Sequence, residues 1–131
     1  MKTLACIAAL LVGTCAHAQD AQSWARDAGK AYDACAFRMS SAQMFGDDAH
    51  YQATRTCVDQ QLSKAKASFP SALAGNSGAR SARLKDYYAA WVASMSALTT
   101  LQVGTKNNAD RAYADAKTRM QELWARYEIE Q

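Results

Sequence analysis

The chain has 131 residues, with 15 Lys plus Arg against 12 Asp plus Glu, one Pro, six Gly and four Cys. A formal charge of +3 is too near neutrality to imply nucleic acid or an anionic membrane surface as partner, and the length suits one domain with one core. So little Pro and Gly favours helices.

Residues 1–18, MKTLACIAALLVGTCAHA, carry Lys2, an apolar run from Leu4 to Val12 and an Ala-His-Ala ending at Ala18. That order of charge, short apolar core and small residues predicts a secretory signal peptide cleaved after Ala18. The apolar run falls short of the roughly 20 residues needed to span a bilayer. Lipidation at Cys15 is the competing reading, and Thr14 fits it poorly where Ala, Gly or Ser is wanted before the cysteine. Ordinary cleavage is therefore expected, leaving residues 19–131 as one periplasmic or secreted domain with a formal charge of +2 and only Cys35 and Cys57.

In the first mature segment, about 20 to 40, Trp24, Ala28, Tyr32, Cys35 and Met39 recur at steps of four and three, which predicts one helical stripe. SSAQMFGDD at 40–48 is expected to break it, with Asp47 or Asp48 capping the next helix. The second segment, about 48 to 68, places Tyr51, Thr54, Val58, Leu62, Ala65 and Phe69 on one face, and Pro70 should stop or kink it. SALAGNSGARS follows as a loop, with Ser77 or Ser81 as the next cap.

The third segment, about 80 to 103, is the greasiest: Leu84, Tyr87, Tyr88, Trp91, Val92, Met95, Leu98 and Leu101 cover more than one stripe. Such a helix should be the most buried of the set, or touch a partner. Gly104 is placed as its C-cap and Asn107 or Asn108 as the following N-cap. In the fourth segment, about 108 to 129, Ala109, Tyr113, Ala116, Met120, Leu123 and Tyr127 form the stripe, while Arg111, Asp115, Arg119, Glu122 and Arg126 mark a solvated face. Four amphipathic segments without a credible strand predict an all-α, up-and-down bundle of four helices.

Cys35 and Cys57 lie at nearly matching levels of a hairpin that turns near residues 41 to 47, so a structural disulfide across the first helical hairpin is expected. A redox pair would show Cys-x-x-Cys, and a metal pair would need further ligands.

Catalytic material is scarce. His50 is the single histidine of the mature chain, no Gly-x-Ser-x-Gly accompanies it, and Glu occurs only at 122, 128 and 130. No catalytic residue and no cofactor is assigned, and the chain reads as non-enzymatic. Met39, Met44 and His50 fall near the bend and form a candidate copper-type set, since thioethers and imidazole suit that metal. They define the alternative reading, a small-ligand or metal carrier. The preferred reading is a protein that binds another envelope protein, as an inhibitor, an immunity protein or an accessory chaperone. Its expected surface joins Arg80, Arg83 and Lys85, at the basic start of the third helix, to Tyr87 and Tyr88, because cationic rims with aromatic anchors suit an acidic cleft.

The leader and the disulfide are checked together on exported protein. Its intact mass should correspond to residues 19–131 less two hydrogens, and alkylation without reductant should label no thiol; a retained leader or two reactive thiols contradicts this reading.

Overall fold

The computed structural model describes residues 20–101 and 108–129. The leader, the Gly104 cap and the Asn107 cap lie outside the described residues. Four helices follow one another: α1 (Ala21–Phe45), α2 (Asp48–Ala74), α3 (Gly78–Leu98) and α4 (Asn108–Ile129). No strand occurs among the described residues, and no helix there is long and apolar enough to cross a membrane.

The start of α1 is set by Asp20, whose carboxylate accepts the Ser23 amide at 2.7 Å and satisfies one of the free donors of the first turn. The apolar stripe is the expected one, and Trp24, Ala28, Tyr32, Cys35 and Met39 are all buried. It does not stop at residue 40, however. Ala42 extends it for another turn, fully buried, and Ser40 and Ser41 donate their hydroxyls to the Ala36 and Phe37 carbonyls, both at 3.2 Å, instead of breaking the helix. The expected loop therefore shrinks to Gly46 and Asp47. Gly46 adopts φ +70°, a conformation that costs a side-chain-bearing residue, and its amide bonds back to the Ala42 carbonyl at 2.8 Å. Asp47 then caps α2 through the His50 amide.

Pro70 does not end α2, which runs on to Ala74. A proline here withholds the amide that the Lys66 carbonyl would accept, but both residues are exposed, so water can serve that carbonyl. Two and three residues further, Ala72 is 1% exposed and Leu73 packs against the core, which favours continuing the helix. The end comes at Gly75, where the Asn76 side chain donates to the Ala72 carbonyl at 3.0 Å.

The helices pair as two hairpins, α1 with α2 and α3 with α4, and α3 also packs against both α1 and α2. This makes α3 the central helix, in keeping with its broad apolar surface. Small residues on α1 receive large ones from α3: Trp91 is fully buried and donates its indole N–H to the Ala28 carbonyl at 2.7 Å. On the other side of α3, the buried Ser94 hydroxyl lies 2.9 Å from both the Ala90 and Ala116 carbonyls, tying α3 to α4. Tyr32 donates to the Tyr113 hydroxyl at 2.8 Å, joining α1 to α4. Burial, then that hydrogen bond, raises the pKa of Tyr32 far above that of a free phenol, so it stays neutral.

The disulfide is where the spacing put it, joining Cys35 to Cys57 across α1 and α2 with 5.7 Å between the Cα atoms. Cys35 is fully buried, and Cys57, at the edge of its stripe, is 8% exposed. Closing 22 residues of separation restricts the unfolded chain and contributes about 3 kcal/mol in the chain-entropy view. The double substitution Cys35→Ala with Cys57→Ala should keep the helical circular-dichroism spectrum while lowering Tm by roughly 10–20 °C; an unchanged Tm would show that the bond adds nothing to the packed hairpin.

Candidate functional site

The sequence-based surface at the start of α3 is rearranged by the fold. Tyr87 is only 3% exposed, with its hydroxyl donating to the Ala25 carbonyl at 3.4 Å, so it cannot anchor a partner. Burial first, then the negative charges of Asp33 and Glu128, pushes its phenol up to about 12. Tyr88 is half-buried, its ring stacked on Phe69 at 4.2 Å and edge-on to Trp24 at 5.7 Å. Tyr87 belongs to the core and Tyr88 packs against it because α3 is covered on several sides. Lys85 is exposed but lies five residues from Arg80, about 140° around the helix, and so faces another direction.

Arg80 and Arg83, about 60° apart on α3, stay together at this end of the bundle. Arg80 is exposed, and a tyrosine the sequence did not single out organises it. Its guanidinium carbon lies 5.2 Å from the centroid of the Tyr127 ring, and its Nε donates to the Tyr127 hydroxyl at 3.3 Å. Tyr127 itself is buried, stacks on Trp124 at 5.6 Å and donates to the Asn76 side-chain oxygen at 3.4 Å. Arg80 and Asn76 thus meet through α4, at the rim of an open groove of about 570 Å³ whose other walls are the start of α1 and the end of α2.

The electrostatics of this end are set by helix termini. Ser77 precedes α3 without a side-chain capping bond, and the first turn of α3 holds no acidic residue, so its amides keep their positive field beside Arg80. Asp20, which also lines the groove, has its carboxylate committed to the Ser23 amide. The groove therefore presents a held cation and an uncapped helix start, an arrangement suited to carboxylates on a partner.

The copper-type set is not assembled. Met39 is 3% exposed and packs into the core, whereas Met44 is 79% exposed, five residues on and about 140° around α1. The Nδ1 of His50 lies 2.7 Å and 2.8 Å from the two Asp47 oxygens, and its ring stacks on Phe45 at 4.7 Å. Among the described residues no three His, Cys, Asp or Glu side chains gather into a metal-binding group. The cleft between Trp24, Ala28, Ala65 and Trp91 is no better as a carrier site: its volume is about 40 Å³, against roughly 300–1,000 Å³ for small-molecule pockets.

Comparisons of the chain with protein-family models, with curated proteins and with solved structures return no match.

Two exposed aromatic residues escaped the sequence reading. Phe37 is 75% exposed and Phe45 63%, both on the side of α1 away from its stripe. Their signal was present as apolar side chains out of phase with the stripe, eight residues apart and joined by Met44.

Asp47 carries the site's clearest electrostatic perturbation outside the buried phenols. The hydrogen bond from the His50 amide, then that from its ring, holds the carboxyl below the ordinary 3.8. Because the folded value is the lower one, its share of stability is present above the ordinary aspartate range and disappears as pH falls through the folded value. In an NMR titration the Asp47 carboxyl should show a midpoint below 3.8, and His50→Ala should raise it only part of the way, since the amide bond persists. An ordinary midpoint in the unaltered protein would mean that this contact does not hold in solution.

Proposed function

We propose that the chain is an exported, non-enzymatic protein that acts by binding another envelope protein, in the manner of an inhibitor, an immunity protein or an accessory chaperone. The sequence of residues 1–18 supports export, and the disulfide is compatible with an oxidising compartment. The observation that carries the binding role is Arg80, exposed yet held over the Tyr127 ring at the rim of an open groove. A long cationic side chain ordinarily loses rotamer freedom when it meets a partner; one already oriented by an aromatic ring loses less. Arg83 and the uncapped start of α3 add charge of the same sign, so the partner presents carboxylates to this end of the bundle.

Arg80 and Arg83 thus keep the place in the proposed surface that the sequence reading gave them, while Tyr127 takes over the aromatic part expected of Tyr87 and Tyr88. The partner is recovered by pull-down with tagged protein from the envelope of the producing cell. Arg80→Glu and Arg83→Glu should each lower recovery at least tenfold and steepen with low salt, with Tm shifted by no more than a few degrees; Lys85→Glu, facing elsewhere, should have little effect. Equal recovery with all three variants would remove this surface from consideration.

A further inference from the structure

The two sulfurs of the disulfide have unequal surroundings. Cys35 lies on the α1 stripe and is fully enclosed, whereas Cys57 keeps 8% of its surface. Helical spacing sets the difference. Val58, 1% exposed, takes the inward position of that turn of α2, and Cys57 is about 100° round from it, at the seam with α1.

An open groove of about 460 Å³ runs along the outside of that seam, and Cys57 is part of its wall while Cys35 is not. Ala34 of α1 and Ala53 of α2 line it too, and their short side chains leave the way to Cys57 open. Arg38, Thr56 and Gln60 stand around it, all exposed: one cation, and hydroxyl and amide groups able to bond a peptide main chain. The volume falls within the roughly 300–1,000 Å³ of small-molecule sites. In thiol–disulfide exchange the product is decided by which sulfur a thiolate can reach, and only one of these two can be reached from solvent.

We propose that Cys57 is a site of S-thiolation by a small anionic peptide thiol of the glutathione type, which enters through this groove and opens the disulfide from the α2 side. The thiol gives up its proton, and its sulfur forms the new bond to Cys57 as the bond to Cys35 breaks. The electron pair of the broken bond goes to Cys35, which takes up a proton and becomes a thiol. A second molecule of the peptide thiol then attacks the first one's sulfur and releases Cys57 as a thiol. Two peptide thiols are thereby oxidised to their disulfide, and the protein disulfide is reduced. Arg38 favours the approach of the anionic thiol, and Cys35, across the seam, is the thiol that expels it when the bond closes again.

The oxidised protein is incubated with reduced glutathione, quenched with acidic N-ethylmaleimide and cleaved with trypsin, which separates Cys35, in residues 31–38, from Cys57, in residues 56–64. Glutathione should be found on Cys57 and the maleimide on Cys35, by roughly ten to one or more. In folded single-cysteine variants, the Cys57 thiol left by Cys35→Ser should react with glutathione disulfide about a hundredfold faster than the Cys35 thiol left by Cys57→Ser, the two rates converging in denaturant. Arg38→Glu should slow attack by glutathione on the intact disulfide by roughly threefold at low salt. No adduct, an adduct on Cys35, an even division between the sulfurs as exchange through the unfolded chain would give, equal rates in the folded variants, or a rate indifferent to Arg38 would overturn the proposal. The peptide map needs no substitution, so it decides the matter even where a variant folds poorly. None of these outcomes bears on the Arg80 surface, which lies on other residues.

Discussion

The bundle depends on the contact between the alanine stripe of α1 and the large rings of α3. Trp91 brings its indole N–H to the Ala28 carbonyl at 2.7 Å, and Tyr87 brings its hydroxyl toward the Ala25 carbonyl. Both carbonyls belong to a helix interior, where each oxygen still has a lone pair after accepting its own amide. They can be reached only because Ala25 and Ala28 leave no side chain in the way. Two polar ring groups are thereby buried with partners, and no buried side-chain nitrogen or oxygen among the described residues lacks one. Without that match of small against large, each of those groups would be buried unpaired at a cost of about 1–3 kcal/mol.

From this contact the aromatic residues extend through the whole domain. Trp24 on α1 meets Phe69 of α2 at 5.0 Å, and Trp91 of α3 at 6.4 Å. Tyr87 meets Trp124 of α4 at 5.3 Å, and Trp124 stacks on Tyr127, over which Arg80 is held. The cation at the surface is therefore the outermost member of a chain of ring contacts that begins in the core. Its orientation comes from tertiary packing, since Arg80 and Tyr127 are 47 residues apart in sequence.

That separation explains what could and could not be read from the residues. The stripe of α1, the pairing of Cys35 with Cys57 and the capping of α2 by Asp47 are local in helical spacing or in hairpin level, and all three were legible. The bend at 41–47 was misjudged because serines read as breakers, whereas here their hydroxyls bond within the helix and Ala42 continues the buried face. Pro70 does not stop α2, as one of its two expected effects required, because the penalty for a proline falls on an exposed carbonyl that solvent can satisfy. At the candidate site, the charge pattern points to Arg80 and Arg83, the residues of the proposed surface, whereas Tyr87, expected beside them, is buried. A helix greasy on several sides gives no sign of which tyrosine its neighbours will cover, and only the arrangement of α1 and α4 decides it.

The position of the disulfide has a further consequence for how the protein matures. Cys35 and Cys57 are consecutive cysteines on adjoining helices separated by a two-residue turn, and in the mature chain proposed here they have no competitors. Oxidation of a single molecule then has one possible intramolecular product, with no mispaired isomers for a disulfide-shuffling catalyst to sort. The linkage can also close as soon as the leading hairpin has emerged, before any of the following half of the polypeptide is required.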